Sequence, residues 1–293
     1  MPILIEVRDF RVRSLDLDFH EVSWAIGSTT EDVLDYRFQI LRSESPSGPF
    51  EALGPAFSDK YVFIDDRIEV VHRWRRYYYK LRIAHVPSGD VHDVGPVSKD
   101  PDPDLLALEL RRHMTLLFRE FAGRRCWILP VRTFGMRCEC WNPTLQQRRR
   151  SGCLLCYDTG FVRGYLSPIE TWIQFDPSAK SEQTTAAGAQ QQSNTTARLA
   201  YYPALRPRDV VVEGENRRWR VVRVSQTEQL RAAVHQEVEL HEVPPKDIEF
   251  AIPLRLEEAL RDLWLSPPKN FANANNLEAF ERIFHMYRRR PTP

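Results

Sequence analysis

Four of the five cysteines, Cys138, Cys140, Cys153 and Cys156, fall in one short stretch as a C-x-C pair and a C-x-x-C pair. Thiolates at this spacing can all turn inward on one tetrahedral centre, with Zn–S distances of about 2.3 Å. Four such ligands close the shell and leave no position for water, so a zinc ion here would be structural rather than hydrolytic. It would contribute on the order of 10 kcal/mol to folding a segment too short to have its own core. Zinc is the leading account. One or two disulfides are the alternative in a chain without an export signal. A redox-active C-x-x-C would need a βαβ setting that the flanking residues do not supply.

The rest of the chain must organise around this knot. Its 293 residues allow two or three domains, each with a core. The apolar runs are far shorter than the roughly 18–20 residues of a membrane span, so no membrane partner is expected. The first residues become charged too early for a signal peptide, which predicts synthesis in a reducing cytoplasm. Net charge is +1, no argument for a polyanion partner overall. Only six of the forty-one cations are lysine. Arginine forks suit protein interfaces, but a GC-rich genome would give the same bias.

Residues 1–100 read as a β-sandwich. Val22, Trp24 and Ile26 alternate with polar or small neighbours, as do Tyr36, Phe38 and Ile40. Tyr61, Phe63 and Asp65 make a further short strand. Tyr77, Tyr79, Leu81 and Ile83 share one face before the turn Pro87-Ser88-Gly89-Asp90. The run Tyr77 to Ala84, the turn glycine after it and the early buried Trp24 resemble a fibronectin type III module over residues 10–100. Such modules usually bind or decorate. The linker Ser98 to Asp104 would end it.

Residues 104–123 predict a connecting helix, with Asp104 as N-cap and Gly123 as its stop. Leu105, Leu106, Leu108, Leu110, His113, Met114, Leu117, Phe118 and Phe121 form a broad apolar face, with His113 packed in it. Residues 124–160 form the four-cysteine, zinc-ribbon-like segment. Cys126, in an apolar run, reads as a buried free thiol. Cys153 to Gly160 resembles the C-x-x-C-x-G-x-G knuckles of chaperone zinc domains. It departs from them at Asp158, where glycine is usual, and in its C-x-C first pair. Arg148, Arg149 and Arg150 lie between the pairs and are expected to make a subunit contact.

Residues 161–254 predict a small β-barrel. Asp209 to Asn216 gives a strand and tight turn, and Arg218 to Val224 returns as its partner. Val234, Gln236, Val238 and Leu240 form one face of a later strand, with His235 and His241 on its solvated side. Residues 178–198, polar and without apolar periodicity, predict a long mobile loop or a disordered one, marked by Ser178, Gln190 and Arg198. The segments Leu205 to Gly214, Arg218 to Val224 and His235 to Leu240 resemble the small barrel of head-completion, stopper-like neck proteins of tailed bacteriophages. The resemblance implies a ring of copies on the portal axis, in a virion assembled in a bacterial host. Partners would be further copies of the chain, the portal or adaptor, and tail proteins, with packaged DNA close by. It also makes 178–198 the candidate channel loop.

Residues 255–293 predict a C-terminal helical arm. Leu254, Leu256, Leu260, Leu263 and Trp264 have helical spacing before the break Ser266-Pro267-Pro268. Leu277, Phe280 and Phe284 anchor a second helix. The arm is expected to dock on a neighbouring chain, with packing on its own domain as the alternative. The sequence thus predicts a mainly β, multi-domain, non-enzymatic virion protein of the neck. A tail or baseplate position is the runner-up. A zinc-ribbon nucleic-acid-binding protein, with Arg148–Arg150 on phosphate, is the alternative of another class. No nucleophile motif or phosphate loop supports an enzyme.

Overall fold

Trp24 sits at the centre of the N-terminal core, its ring 5.8 Å from that of Phe38 and 5.9 Å from that of Phe57. The computed structural model describes residues 5–254, apart from 17–18, 28–30, 69–74, 101–103, 177–179, 186–187 and 230–231. The predicted arm at 255–293, with Leu277, Phe280 and Phe284, lies outside the described residues.

Two antiparallel sheets enclose the first core. One orders β1 (Val7–Asp16), β2 (Phe19–Ile26) and β5 (Val62–Asp65). The other orders β4 (Glu51–Ala52), β3 (Tyr36–Ser43), β6 (Tyr78–His85) and β7 (Val91–Ser98). Alternate residues of facing strands meet between them. Val22, Trp24 and Ile26 pack with Phe38, Ile40, Tyr79, Leu81 and Ile83, all buried. The period-2 patterns of the sequence are therefore the two inner faces of a sandwich.

Asp104 caps α1 (Leu105–Leu117) as expected, accepting from the Leu106 N–H at 2.8 Å. The predicted helix to Gly123 changes form near its end. Residues Phe118–Ala122 are a π turn, closed by the Gly123 N–H donating to the Phe118 carbonyl. A β-carbon on Gly123 would lie 2.3 Å from that carbonyl oxygen, so the turn requires glycine. The broad apolar face is only partly used: Ala107, Leu108 and Phe118 are buried. Leu106, Leu117 and Phe121 stay exposed.

Six strands close the second core into a barrel. They are β8 (Arg124–Leu129), β14 (Val210–Val212), β15 (Arg218–Gln229), β16 (Ala232–Glu242), β13 (Gly188–Ala200) and β11 (Ile169–Phe175). Pairing of Ile173 with Leu199 completes the ring. Cys126, Ile128, Ile173, Leu199, Val211, Trp219, Val221, Val238 and Leu240 fill the interior. Cys126 is the buried thiol expected, pushed by burial up to about 12. Gln236, wholly buried, donates to the carbonyls of Ala200 and Pro203 and accepts from the Leu205 N–H.

Two boundaries differ from the sequence reading. β8, expected with the cysteine segment, is a barrel strand lying between β11 and β14. The cysteine segment is thus an insertion into the barrel rather than a link ahead of it. The expected loop at 178–198 is largely a hairpin of β12 (Lys180–Thr185) with β13. Gln190 pairs with Gln183 in it, and Arg198 pairs with Glu237 of β16. Ser178 lies outside the described residues. Polar residues without apolar alternation hid these strands, because a sequence pattern reveals a strand through alternating apolar residues.

Candidate metal centre

Strand β8 delivers the chain to the base of the insertion, and β11 takes it away. Between them the stems pair: Val131 opposite Tyr165, and Arg137 opposite Phe161. The Arg132 N–H donates to the Gly164 carbonyl and the Cys138 N–H to that of Gly160. This ladder brings both cysteine pairs to one level, although a dozen residues separate Cys140 from Cys153. A short hairpin, β9 (Trp141–Asn142) with β10 (Gln147–Arg148), forms the loop beyond.

The four sulfurs all lie within 4.8 Å of one another, and all four residues are buried. Cys138 Sγ is 3.8 Å from Cys153 Sγ, and Cys140 Sγ is 3.4 Å from Cys156 Sγ. A tetrahedral ion with bonds of about 2.3 Å would hold its sulfurs about 3.8 Å apart. A disulfide requires about 2.05 Å. The four residues can therefore hold one metal ion, in a geometry compatible with zinc.

Electrostatics agree with that use. Burial and the sulfur of Cys156 push the Cys140 thiol up, so four thiolates in this space need a cation. Burial also opposes ionisation of Cys153, but the N–H groups of Leu155 and Cys156 outweigh it and bring the thiol to about 7. Backbone N–H groups aimed at the first sulfur of a C-x-x-C turn leave it ready to ligate.

Asp158, the departure from the knuckle pattern, has a defined role. Its carboxylate accepts from the N–H groups of Gly152 and Cys153 and pairs with Arg148 at 2.8 Å. Burial raises its pKa, and these partners more than offset it, holding the carboxyl below its ordinary range. It adopts φ +62°, and Tyr157 before it φ +46°. Gly164 at φ +63° is needed for close approach, since a β-carbon there would lie 2.5 Å from the Cys156 carbonyl oxygen. The Arg137 guanidinium lies 4.3 Å from the Trp141 ring centre and 4.0 Å from that of Phe161, a cation stacked on both rings.

The three loop arginines separate in use. Arg148 is engaged by Asp158, whereas Arg149 and Arg150 are exposed and have no ion pair among the described residues. Sequence reasoning missed the groups that anchor the insertion. Asp59, in the turn before β5, accepts from Arg132 and Arg163, which lie on the two stems. Nothing local marks Asp59; only its spatial partners give it meaning. Among the described residues, no helix is long and apolar enough to cross a membrane. No protein-family model matches the chain, and a search of curated proteins gives no match.

Proposed function

We propose that the chain is a non-enzymatic structural subunit of a tailed-bacteriophage virion, part of the neck ring joining portal to tail. A zinc ion bound by Cys138, Cys140, Cys153 and Cys156 fixes the insertion. The observation that carries the reading is the closed six-strand barrel with a hairpin running past it. In β13, Asn194 to Ala200 pair with β16, while Gly188 to Ser193 pair only with β12. A ribbon of this kind, rich in glutamine and threonine, suits projection into a hydrated channel beside DNA without sequence-specific contacts. The sandwich, of three and four strands, supports the fibronectin III-like reading of residues 1–100 as an outward module.

Labelling the protein in intact virions tests this. Signal at the head–tail junction is the expected result, and signal at the tail tip would favour the baseplate alternative. Virions that lack the protein exclude both.

The zinc-ribbon reading has one observation in its favour: exposed Arg149 and Arg150 make no ion pair among the described residues. It predicts DNA affinity that falls steeply with salt and drops further when both are neutralised. Affinity that does not change with salt excludes it.

A further inference from the structure

The sandwich and the barrel meet across a cleft of about 390 Å³. One wall is the outer face of the β1–β2–β5 sheet, where Arg11 lies opposite Ser23 and Arg13 opposite Glu21. The stems of the insertion and the loop after β13 form the other wall, through Pro130, Val131, Phe134, Leu166, Pro203 and Ala204. Small-molecule sites favour such domain joints, mostly apolar walls and volumes of roughly 300–1,000 Å³.

Charge in the cleft is already matched. Arg11, Arg13, Lys60 and Arg206 line it together with Asp9, Glu21, Asp59 and Asp209, four cations against four carboxylates. Arg11 pairs with Asp9, and Arg13 with Glu21, which is buried. Asp59 is held by Arg132 and Arg163, and Asp209 accepts from the N–H groups of Val131 and Arg206. The cleft thus offers no net counter-charge to a charged ligand.

One polar group is left over. Trp24 lines the cleft and is 3% exposed, and its indole N–H meets no acceptor among the described residues. β2 pairs with β5 only from His20 to Ser23, so the side strand ends just before Trp24. Tyr61 and Phe134 line the cleft as well. The Tyr61 ring lies 6.3 Å from that of Trp24 and 4.8 Å from that of Phe134. Three aromatic side chains favour a flat ring as their neighbour. A buried donor without an acceptor is costly, so a molecule that supplies one gains a hydrogen bond in addition to its apolar contacts.

We propose that this cleft binds an uncharged aromatic molecule whose carbonyl or ring heteroatom accepts the Trp24 N–H. Water held against apolar walls is poorly ordered, and an apolar group that displaces it gains affinity. The bound molecule touches both domains, so it also tightens the joint made at Asp59.

NMR of full-length protein carrying ¹⁵N-labelled tryptophan tests the site. Trp24 is one of seven tryptophans, and its indole signal is assigned by its loss in Trp24→Phe. Coumarin, an uncharged aromatic lactone, should shift the Trp24 signal saturably. Naphthalene has nearly the same shape without the acceptor, and should bind about fivefold more weakly. Coumarin-3-carboxylate should also bind more weakly than coumarin. Ala204→Phe fills the cleft from the barrel side and Ala25→Phe from the sandwich side. Whichever keeps the Trp24 signal of a folded protein should lose the saturable shift. A Trp24 signal that coumarin does not move, or a shift that survives filling the cleft, overturns the site. Naphthalene binding as tightly as coumarin overturns the hydrogen bond, and tighter binding of the carboxylate overturns the uncharged class. Virion labelling reads the neck assignment separately, so either proposal can fail while the other stands.

Discussion

Arg132, 3% exposed, donates two hydrogen bonds from one guanidinium nitrogen to the carboxylate of Asp59, each 2.9 Å long. Arg163 adds a third at 2.8 Å. Asp59 belongs to the sandwich, and the arginines stand on the two stems of the cysteine insertion, so one carboxylate ties both stems to the sandwich. Phe134, Met136 and Leu166 from the stems pack on the sandwich core around it.

Removing that carboxylate leaves a guanidinium buried without a partner. Asp59→Ala should therefore destabilise the protein by about 3–5 kcal/mol. Urea unfolding followed by tryptophan fluorescence reads it, and separation into two transitions would show the domains uncoupled. A loss below about 1 kcal/mol would mean that the apolar contacts alone hold the joint.

Metal analysis of native protein should give one zinc per chain. Strong chelation should unfold the insertion, with a loss on the order of 10 kcal/mol of binding free energy. Cys153→Ser should abolish stoichiometric zinc. Less than about half an equivalent, together with oxidised cysteines, would favour disulfides.

Asp209 supplies a pH dependence. It is buried and accepts from the N–H groups of Val131 and Arg206. Burial raises its pKa to about 6, against the lowering effect of those donors. The folded state thus holds a proton that the unfolded chain releases near its ordinary value. The stability linked to this proton is full below about pH 4 and is lost as pH rises through about 6, about 3 kcal/mol in all. Asp209→Asn cannot titrate and cannot accept from both donors, so it should be destabilising. Its penalty should shrink by about 1 kcal/mol between about pH 5 and pH 7.5. A penalty that is constant with pH would show that native Asp209 is ionised throughout.

Gln236→Leu should cost more than its volume change suggests. It leaves the Leu205 N–H and the Ala200 and Pro203 carbonyls without their side-chain partner inside the barrel wall. Each buried orphan costs about 1–3 kcal/mol. Thermal unfolding reads the loss, and a neutral result would mean that water replaces the amide.

Where one face of a strand is buried, the sequence already contained the answer. Val22, Trp24 and Ile26 and the alternation from Val234 to Leu240 needed only period 2, because each buried side chain excludes water by its own chemistry. The cysteine spacing likewise marked which four sulfurs would meet, since two close pairs on one short stretch can converge on a single point. The polar β12–β13 ribbon was illegible because its pairing is made by backbone groups, which every residue carries alike. The barrel's inclusion of β8 was hidden too: its partners Val210–Val212 lie about eighty residues away, and an apolar strand does not name its neighbours.

The sequence by itself therefore determined which four cysteines cluster, the local periodicities and the capping of α1, all governed by residues near one another in the chain. Only the tertiary structure decided that the cysteine segment is an insertion between two barrel strands whose stems converge on Asp59. Ion pairing and burial act through space. Asp59 and Arg132 are seventy-three residues apart, and nothing short of the folded chain brings their charges to 2.9 Å.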